Sequence, residues 1–178
     1  MISLPIDLGD GAILRRYTMD DLDPLWEIVE RDQERIAKWM PWAVGVTRDA
    51  ERVFLERVIG DEASLEGGGL FIDGRFAGGV GLTVGPFGTS AEIGYWISSE
   101  FEGQGYVTRA CRALIDMAFG ELGVHRVVIR AGTENVRSRA IPERLGFTEE
   151  GAHREEGSGS EGFHDLVVYG LLDREWPR

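Results

Sequence analysis

Hydrophobic and polar positions in the first third of the chain have the spacing of helices that follow one short strand. Residues 12 to 17 predict the strand, and Thr18 has the side chain of a helix N-cap with three aspartates close behind it. Helical periodicity continues through Val29 and resumes over residues 33 to 38. A second helix is predicted over residues 47 to 59, where four apolar side chains are spaced to form a buried face: Val53, Phe54, Val58 and Ile59.

The hydrophobic pattern changes to a period of two after a run of three glycines. Residues 70 to 72 and residues 76 to 84 predict a β-hairpin about the Asp73-Gly74 turn, because a glycine accepts the backbone angles of a tight hairpin. Residues 91 to 97 predict a third strand of this group. The three strands therefore form a meander.

Helix and strand alternate in the rest of the chain. A helix is predicted from apolar side chains that step by four, three, four and four, namely Val107, Cys111, Leu114, Ala118 and Leu122. The elements predicted after it are a strand at 126 to 131, a helix at 136 to 145 ended by Gly146, and strands at 148 to 153 and 163 to 172 joined by a flexible loop at 157 to 162. A meander followed by a βαβ crossover predicts one α/β domain over residues 1 to 178, with a mixed sheet covered by helices.

The composition narrows the classes of function. A net charge of −12 disfavours nonspecific binding to nucleic acid or anionic membrane, and no apolar run approaches the ~20 residues of a membrane helix. The first residues lack the pattern of a secretory signal, and a single cysteine, Cys111, excludes an internal disulfide framework. We therefore expect a cytoplasmic protein with neither nucleic acid nor membrane as a partner. The three histidines lack metal-ligand spacing, so no metal is expected.

The charge is unevenly distributed along the chain. Residues 105 to 144 contain seven arginines against four acidic residues, whereas the remainder is strongly acidic. A basic segment in an acidic protein is suited to an anionic cofactor beside a cationic substrate. A helix and a strand with solvated charged faces would produce the same pattern, and the charge alone does not decide between the two interpretations.

The segment between the third strand and the next helix, residues 100 to 108, contains Gly103 and Gly105. A helix N-terminus has unsatisfied N–H groups and partial positive charge, and glycines let the backbone approach an anion closely. Two glycines before a helix are also common in a plain turn. The segment lacks the Gly-Lys-Ser/Thr ending of a nucleoside-triphosphate loop and the third glycine of a dinucleotide fingerprint. A phosphate-binding loop and a plain turn remain the alternatives.

Three passages together resemble the GNAT superfamily of acyltransferases and, within it, the RimL-type N-acetyltransferases. They are residues 91 to 97 (AEIGYWI), the loop at 103 to 108 (GQGYVT) and residues 135 to 147 (NVRSRAIPERLGF); residues 39 to 42 (WMPW) add a RimL-type feature. The family loop begins with Gln or Arg, whereas this chain has Glu102, whose side chain is expected to point to solvent. The resemblance implies a GNAT-like mixed, mostly antiparallel sheet with a splayed parallel pair and helices on both faces.

The resemblance also implies that acetyl-CoA lies between the strands at 91 to 97 and 126 to 131. The pantetheine would pair with backbone near Ile97, Asn135 would hydrogen-bond the pantetheine arm, and Ser138 would lie near the sulfur. A plain N-cap is the alternative role for Asn135. The cofactor-binding residues expected in this way are Trp96, Ile97, Gly103, Gln104, Gly105, Tyr106, Val107, Thr108, Asn135 and Ser138.

The implied reaction is direct attack of a neutral amine on the thioester, with CoA leaving as a thiolate. Glu92, on one strand face with Gly94 and Trp96, is the candidate general base, acting through water, and Ser138 is the candidate donor to the thiolate. Pro142 replaces the tyrosine that many family members use as donor. The alternatives are a strand glutamate that faces solvent or pairs with an arginine, and a serine that bonds to helix backbone.

The RimL-type resemblance favours a protein N-terminal α-amine, of ribosomal-protein type, as the acetyl acceptor. A small-molecule amine, such as a polyamine or an antibiotic, is the alternative acceptor. A non-catalytic acyl-CoA-binding or partner-binding module is the alternative of a different class. Trp39 and Trp42 are expected to line the acceptor pocket, unless they cap the core or form a partner surface. A homodimer or a higher homo-oligomer is also expected.

Overall fold

Eight strands pair in one mixed sheet in the computed structural model, which describes residues 4–59 and 68–177. The strands are β1 (Ile6–Gly9), β2 (Ala12–Arg16), β3 (Gly68–Ile72), β4 (Arg75–Val84), β5 (Ser90–Ile97), β6 (Arg126–Gly132), β7 (Thr148–Gly159) and β8 (Gly162–Leu172). Their order across the sheet is β1-β2-β3-β4-β5-β6-β8-β7. Every neighbouring pair is antiparallel except β5 and β6, which are parallel.

In the part of the chain that the structure describes, four α-helices cover the two faces of this sheet: α1 (Leu22–Ala37), α2 (Arg48–Ile59), α3 (Tyr106–Gly120) and α4 (Val136–Arg144). Side chains alternate across a strand, so neighbouring residues of β3 enter different cores. Leu70 and Ile72 pack with the buried face of α3, whereas Phe71 between them packs with α1 and α2. The predicted fold class, a mixed and mostly antiparallel sheet with helices on both faces, is confirmed.

The parallel pair separates after its first three residue pairs. β5 and β6 pair only from Ser90 to Glu92, although β5 continues to Ile97 and β6 to Gly132. Over those unpaired stretches β5 still pairs with β4, and β6 still pairs with β8. The gap therefore leaves backbone edges exposed in the middle of the sheet, at the end that leads into the glycine loop and α4.

Three elements differ from the sequence-based predictions. β1 was not predicted, and α1 is one continuous helix where the pattern had suggested two segments. On α2 the buried side chains are Glu51, Leu55 and Val58, whereas the predicted core residue Val53 is exposed. The spacing of the apolar residues had identified the helix but not the face that it buries.

The predicted flexible loop at 157 to 162 is wrong. β7 runs to Gly159 and β8 starts at Gly162, so only a two-residue turn joins them. The Ser160 N–H donates to the Ala37 carbonyl at 2.8 Å, and Lys38 pairs with Glu161 at 3.1 Å. These contacts hold the end of the hairpin against the C-terminus of α1. The glycine-rich and serine-rich composition of this segment gives no indication of them.

Candidate functional site

A cavity of about 780 Å³ opens where β5 and β6 separate, and we call it the loop cavity. The glycine loop and the first turn of α3 form one wall, and α4 forms another. The residues of the expected cofactor site that line it are Trp96, Ile97, Gly103, Gly105, Tyr106, Val107, Thr108, Asn135 and Ser138. The fold thus brings together residues from four separate elements that the sequence had identified one motif at a time.

The loop before α3 has the backbone of an anion-binding turn. Gly103 and Gly105 both have left-handed φ angles, 74° and 82°, which residues with a Cβ atom rarely adopt. Gly105 is the N-cap of α3 and has no side chain to occupy the helix end. The first N–H groups of α3 therefore lack helical acceptors and carry the positive end of the helix dipole toward the cavity.

Glu102 does not point to solvent, contrary to the expectation for this departure from the family loop. Its carboxylate is only 23% exposed and accepts a hydrogen bond from Arg35 at 2.6 Å and another from Arg137. Two guanidinium groups therefore balance one carboxylate beside the loop. The negative charge of Glu102 is therefore paired at the mouth of the cavity, so it does not face a phosphate-bearing ligand uncompensated.

Arg35 also connects α1 to the end of β5. One of its terminal nitrogens donates to the Ile97 carbonyl at 2.6 Å and to the Asp32 carboxylate at 3.1 Å. Burial opposes ionisation of Asp32, but hydrogen bonds from Arg31, Ser99 and Arg35 outweigh burial and hold its pKa well below the usual range. This network fixes the cavity edge of β5, and it already uses the carbonyl of Ile97.

Ser138 lies at the start of α4 and contacts a tyrosine from β5. Asn135 caps the helix, since its Oδ1 accepts from the Ser138 N–H at 3.2 Å. The Ser138 hydroxyl donates to the Tyr95 hydroxyl at 3.1 Å, and Tyr95 in turn donates to the Ser138 carbonyl at 3.0 Å. Burial raises the pKa of Tyr95, so its phenol stays protonated. The sequence analysis missed Tyr95, although its strand and motif were identified.

Glu92 is held by an arginine on the neighbouring strand. Both carboxylate oxygens accept from Arg130, at 2.9 and 2.8 Å, and Arg130 also pairs with Glu156 at 2.9 Å. Glu92 is not among the residues that line the loop cavity. The contact corresponds to the alternative of a strand glutamate paired with an arginine, and a role for Glu92 as base stays a prediction.

Three further residues that the sequence analysis assigned to the cofactor or acceptor site, Trp39, Gln104 and Trp42, lie in three different places. Trp39 lines the loop cavity and packs edge-on against His164, with ring centroids 5.5 Å apart. Gln104 turns away from the cavity, because its side-chain amide donates to the Glu100 carbonyl at 3.2 Å. Trp42 lines a second cavity, described next.

A second cavity of about 430 Å³ lies between the β4–β5 region of the sheet and α2, and we call it the α2 cavity. It shares three lining residues with the loop cavity: Met40, Tyr95 and Trp96. Trp42 and Trp96 form part of its wall, with ring centroids 5.7 Å apart. The two cavities therefore adjoin the same stretch of β5.

Two negative findings apply to residues 4–59 and 68–177. Within these ranges, no three His, Cys, Asp or Glu side chains come together in a group that could hold a metal ion. None of the helices described there combines the length and the apolar character needed to cross a membrane.

Comparison with known proteins gives concordant matches. Residues 12–148 match the family model described as "Acetyltransferase (GNAT) domain". The chain is 42% identical over 176 residues to the Bacillus subtilis (strain 168) protein named "Putative ribosomal N-acetyltransferase YdaF", covering 95% of both chains. A crystal structure of a "Probable acetyltransferase" superposes with a TM-score of 0.87 at 38% identity, covering 97% of this chain and 99% of that one.

RimL, a ribosomal alpha-N-protein acetyltransferase solved in complex with coenzyme A, also superposes with a TM-score of 0.87. The match covers 95% of this chain and 98% of that one at 21% identity. At that identity the likeness demonstrates a shared fold.

Proposed function

The chain belongs to the GNAT acetyltransferase family, and we propose that it transfers the acetyl group of acetyl-CoA to the N-terminal α-amine of a protein of ribosomal-protein type. The observation that carries the proposal is the loop cavity, where the splayed strands, the glycine loop and the N-terminus of α3 meet. The names of the relatives support the acceptor class. A cytoplasmic location and a homodimer or higher homo-oligomer belong to the same proposal.

The residues of the loop cavity fit acetyl-CoA. Left-handed Gly103 and Gly105 leave backbone N–H groups free to meet a pyrophosphate, and no Cβ projects over them. The edge of β5 that no longer pairs with β6 lines the cavity and offers backbone donors and acceptors to the amides of a pantetheine arm. Asn135 and Ser138 line the same cavity and would face the far end of that arm.

Bound acetyl-CoA would supply an activated thioester, and the chain's own residues would bind, orient and handle protons. The loop and the edge of β5 would hold the cofactor so that the acetyl carbon faces the amine. Ser138 would turn its hydroxyl proton from Tyr95 to the departing sulfur, while Tyr95 keeps its own hydrogen bond to the Ser138 carbonyl and so holds the residue in place. Glu92 stays the proposed base, acting through water, because a carboxylate has lone pairs beyond the two that Arg130 occupies.

Thiol release on mixing the protein with acetyl-CoA and an amine panel tests the proposal. We expect release with short peptides that have free N-termini and none with the same peptides acetylated at the N-terminus. Release with polyamines or aminoglycosides alone would favour the small-molecule alternative. Binding of acetyl-CoA without release on any amine would favour a non-catalytic module.

A further inference from the structure

The buried face of α2 contains a carboxylate where an apolar residue is expected. Glu51, Leu55 and Val58 follow one another at helical spacing and are 5%, 0% and 7% exposed. Burial of a carboxylate is costly unless an opposite charge or hydrogen-bond donors compensate for it. Glu51 therefore needs a partner whenever it is ionised.

Glu51 differs in this respect from the other two buried acids of the described residues. Asp21 accepts two hydrogen bonds from Arg15, both at 2.8 Å, and Asp32 accepts from arginine side chains and from Ser99. Within residues 4–59 and 68–177, the Glu51 carboxylate has neither an ion pair nor a hydrogen bond. Burial alone raises its pKa to about 7.

The Glu51 side chain lines the α2 cavity, and five aromatic residues line the same cavity. Tyr17 and Phe54 meet edge-on at 6.0 Å between ring centroids, and Trp42 and Trp96 form the opposite pair. Three glycines of β4 and β5 line the cavity between them, which keeps the sheet side open: Gly79, Gly81 and Gly94. The result is a cavity with apolar walls and one acidic group.

The other ionisable groups at the cavity do not neutralise Glu51. Burial raises the pKa of Tyr17, so that phenol is uncharged. Arg57 also lines the cavity, but its guanidinium lies over the Phe54 ring at 5.6 Å, and burial is what shifts the pKa of Glu51. A cation from outside the chain would supply the missing partner. Aromatic faces attract cations as well, and ammonium groups are among them.

We propose that the α2 cavity binds the acceptor and that Glu51 holds the acceptor's ammonium group, so that the preferred acceptor is a cationic amine with an apolar or aromatic group next to the charge. The inference rests on the proposed acetyl transfer. It is supported by position, because the α2 cavity and the loop cavity share Met40, Tyr95 and Trp96. An acceptor in one cavity and a thioester in the other would lie beside the same stretch of β5.

Calorimetry on the CoA-saturated protein tests the site without catalysis. The probes are 2-phenylethylamine and its uncharged isostere 2-phenylethanol, which differ in charge but hardly in shape. We expect the wild type to bind the amine at least about tenfold more tightly, as one desolvated charge pair provides. Glu51→Gln keeps the shape and should abolish the difference. Glu56→Gln, on the exposed side of α2 where Glu56 pairs with Arg52 at 2.7 Å, should keep it.

Two results would overturn the proposal: no binding of the amine to the wild type, or the same preference for the amine in Glu51→Gln. Thermal melts of each variant check folding, and removal of an unpaired buried charge should not lower the melting temperature. Thiol release distinguishes the proposals. If the amine binds through Glu51 but acetyl-CoA releases no thiol, the proposed function fails while the ammonium site stands.

Discussion

The hydroxyl of Ser138 donates to the hydroxyl of Tyr95 at 3.1 Å, across the gap between α4 and β5. Tyr95 donates its own proton to the carbonyl of Ser138 at 3.0 Å, so the two residues are linked in both directions. The family tyrosine of α4 is replaced by Pro142 in this chain. A tyrosine from a different element therefore lies beside the proposed donor.

Ser138→Ala should lower kcat by roughly 100-fold while the Kd of acetyl-CoA changes little, because the hydroxyl is needed only when the thiolate forms. The substitution keeps the helix cap, since Asn135 accepts from the backbone N–H of Ser138 and not from its side chain. Steady-state kinetics measures kcat, and calorimetry measures the Kd of acetyl-CoA. A kcat equal to that of wild type would limit Ser138 to a structural role.

Tyr95→Phe should lower kcat less than Ser138→Ala does, because Tyr95 acts by orienting the serine. The double variant should be no slower than Ser138→Ala alone, since the tyrosine has nothing to orient once the hydroxyl is gone. A double-mutant cycle on kcat measures this coupling. Additive losses would mean that Tyr95 contributes independently of Ser138.

Gly105→Val should abolish the rise in melting temperature that acetyl-CoA produces, because the ligand stabilises only the protein that binds it. A side chain at a φ of 82° costs about 1–2 kcal/mol or more and places bulk at the N-terminus of α3. Gly120→Val, at the other end of the same helix, is the control. Nothing lies within 4 Å of the Cβ that the substitution adds there, and the φ angle of Gly120 is not left-handed. An unchanged thermal shift in Gly105→Val would remove the loop from the cofactor site.

Glu92→Gln should lower kcat/KM at neutral pH and be partly rescued at alkaline pH, where more of the amine is already deprotonated. Glu150→Gln is the matched control, because Glu150 also makes a two-oxygen pair with an arginine, Arg126, which lies on the same strand as Arg130. The pH profiles of kcat/KM are compared for the wild type, Glu92→Gln and Glu150→Gln. Loss of a base should appear only in Glu92→Gln, whereas loss of an ion pair occurs in both variants. If Glu92→Gln follows the wild type throughout, Glu92 only pairs with Arg130.

Glu51→Gln should be more stable than the wild type above pH 7 and equally stable near pH 4. Burial raises the pKa of Glu51 from 4.5 to about 7, so the folded state resists ionisation that the unfolded chain undergoes freely. The wild type therefore loses stability between these two values as the pH rises, by roughly 3 kcal/mol in total. Urea titrations from pH 4 to pH 8 measure the difference. A constant difference across that range would mean that Glu51 ionises normally.

Local patterns in the sequence determined the elements and much of the loop cavity. The alternation at 91 to 97, the apolar stripe of α3 and the glycines before it each depend on residues within a few positions of one another. Such short-range periodicity follows from the geometry of strands and helices. The family motifs then placed Asn135 and Ser138 in the same cavity as Gly105.

Tertiary structure alone decided which charges and hydroxyls meet. Ser138 and Tyr95 are 43 positions apart, and Glu102 lies 67 positions from Arg35, so no periodicity relates them. The buried face of α2 depends on how the helix packs against the sheet, which is why a helix with several apolar residues turns Glu51 inward and leaves Val53 in solvent. Contacts between distant residues arise from packing of whole elements, and a sequence pattern reports only what neighbouring residues do.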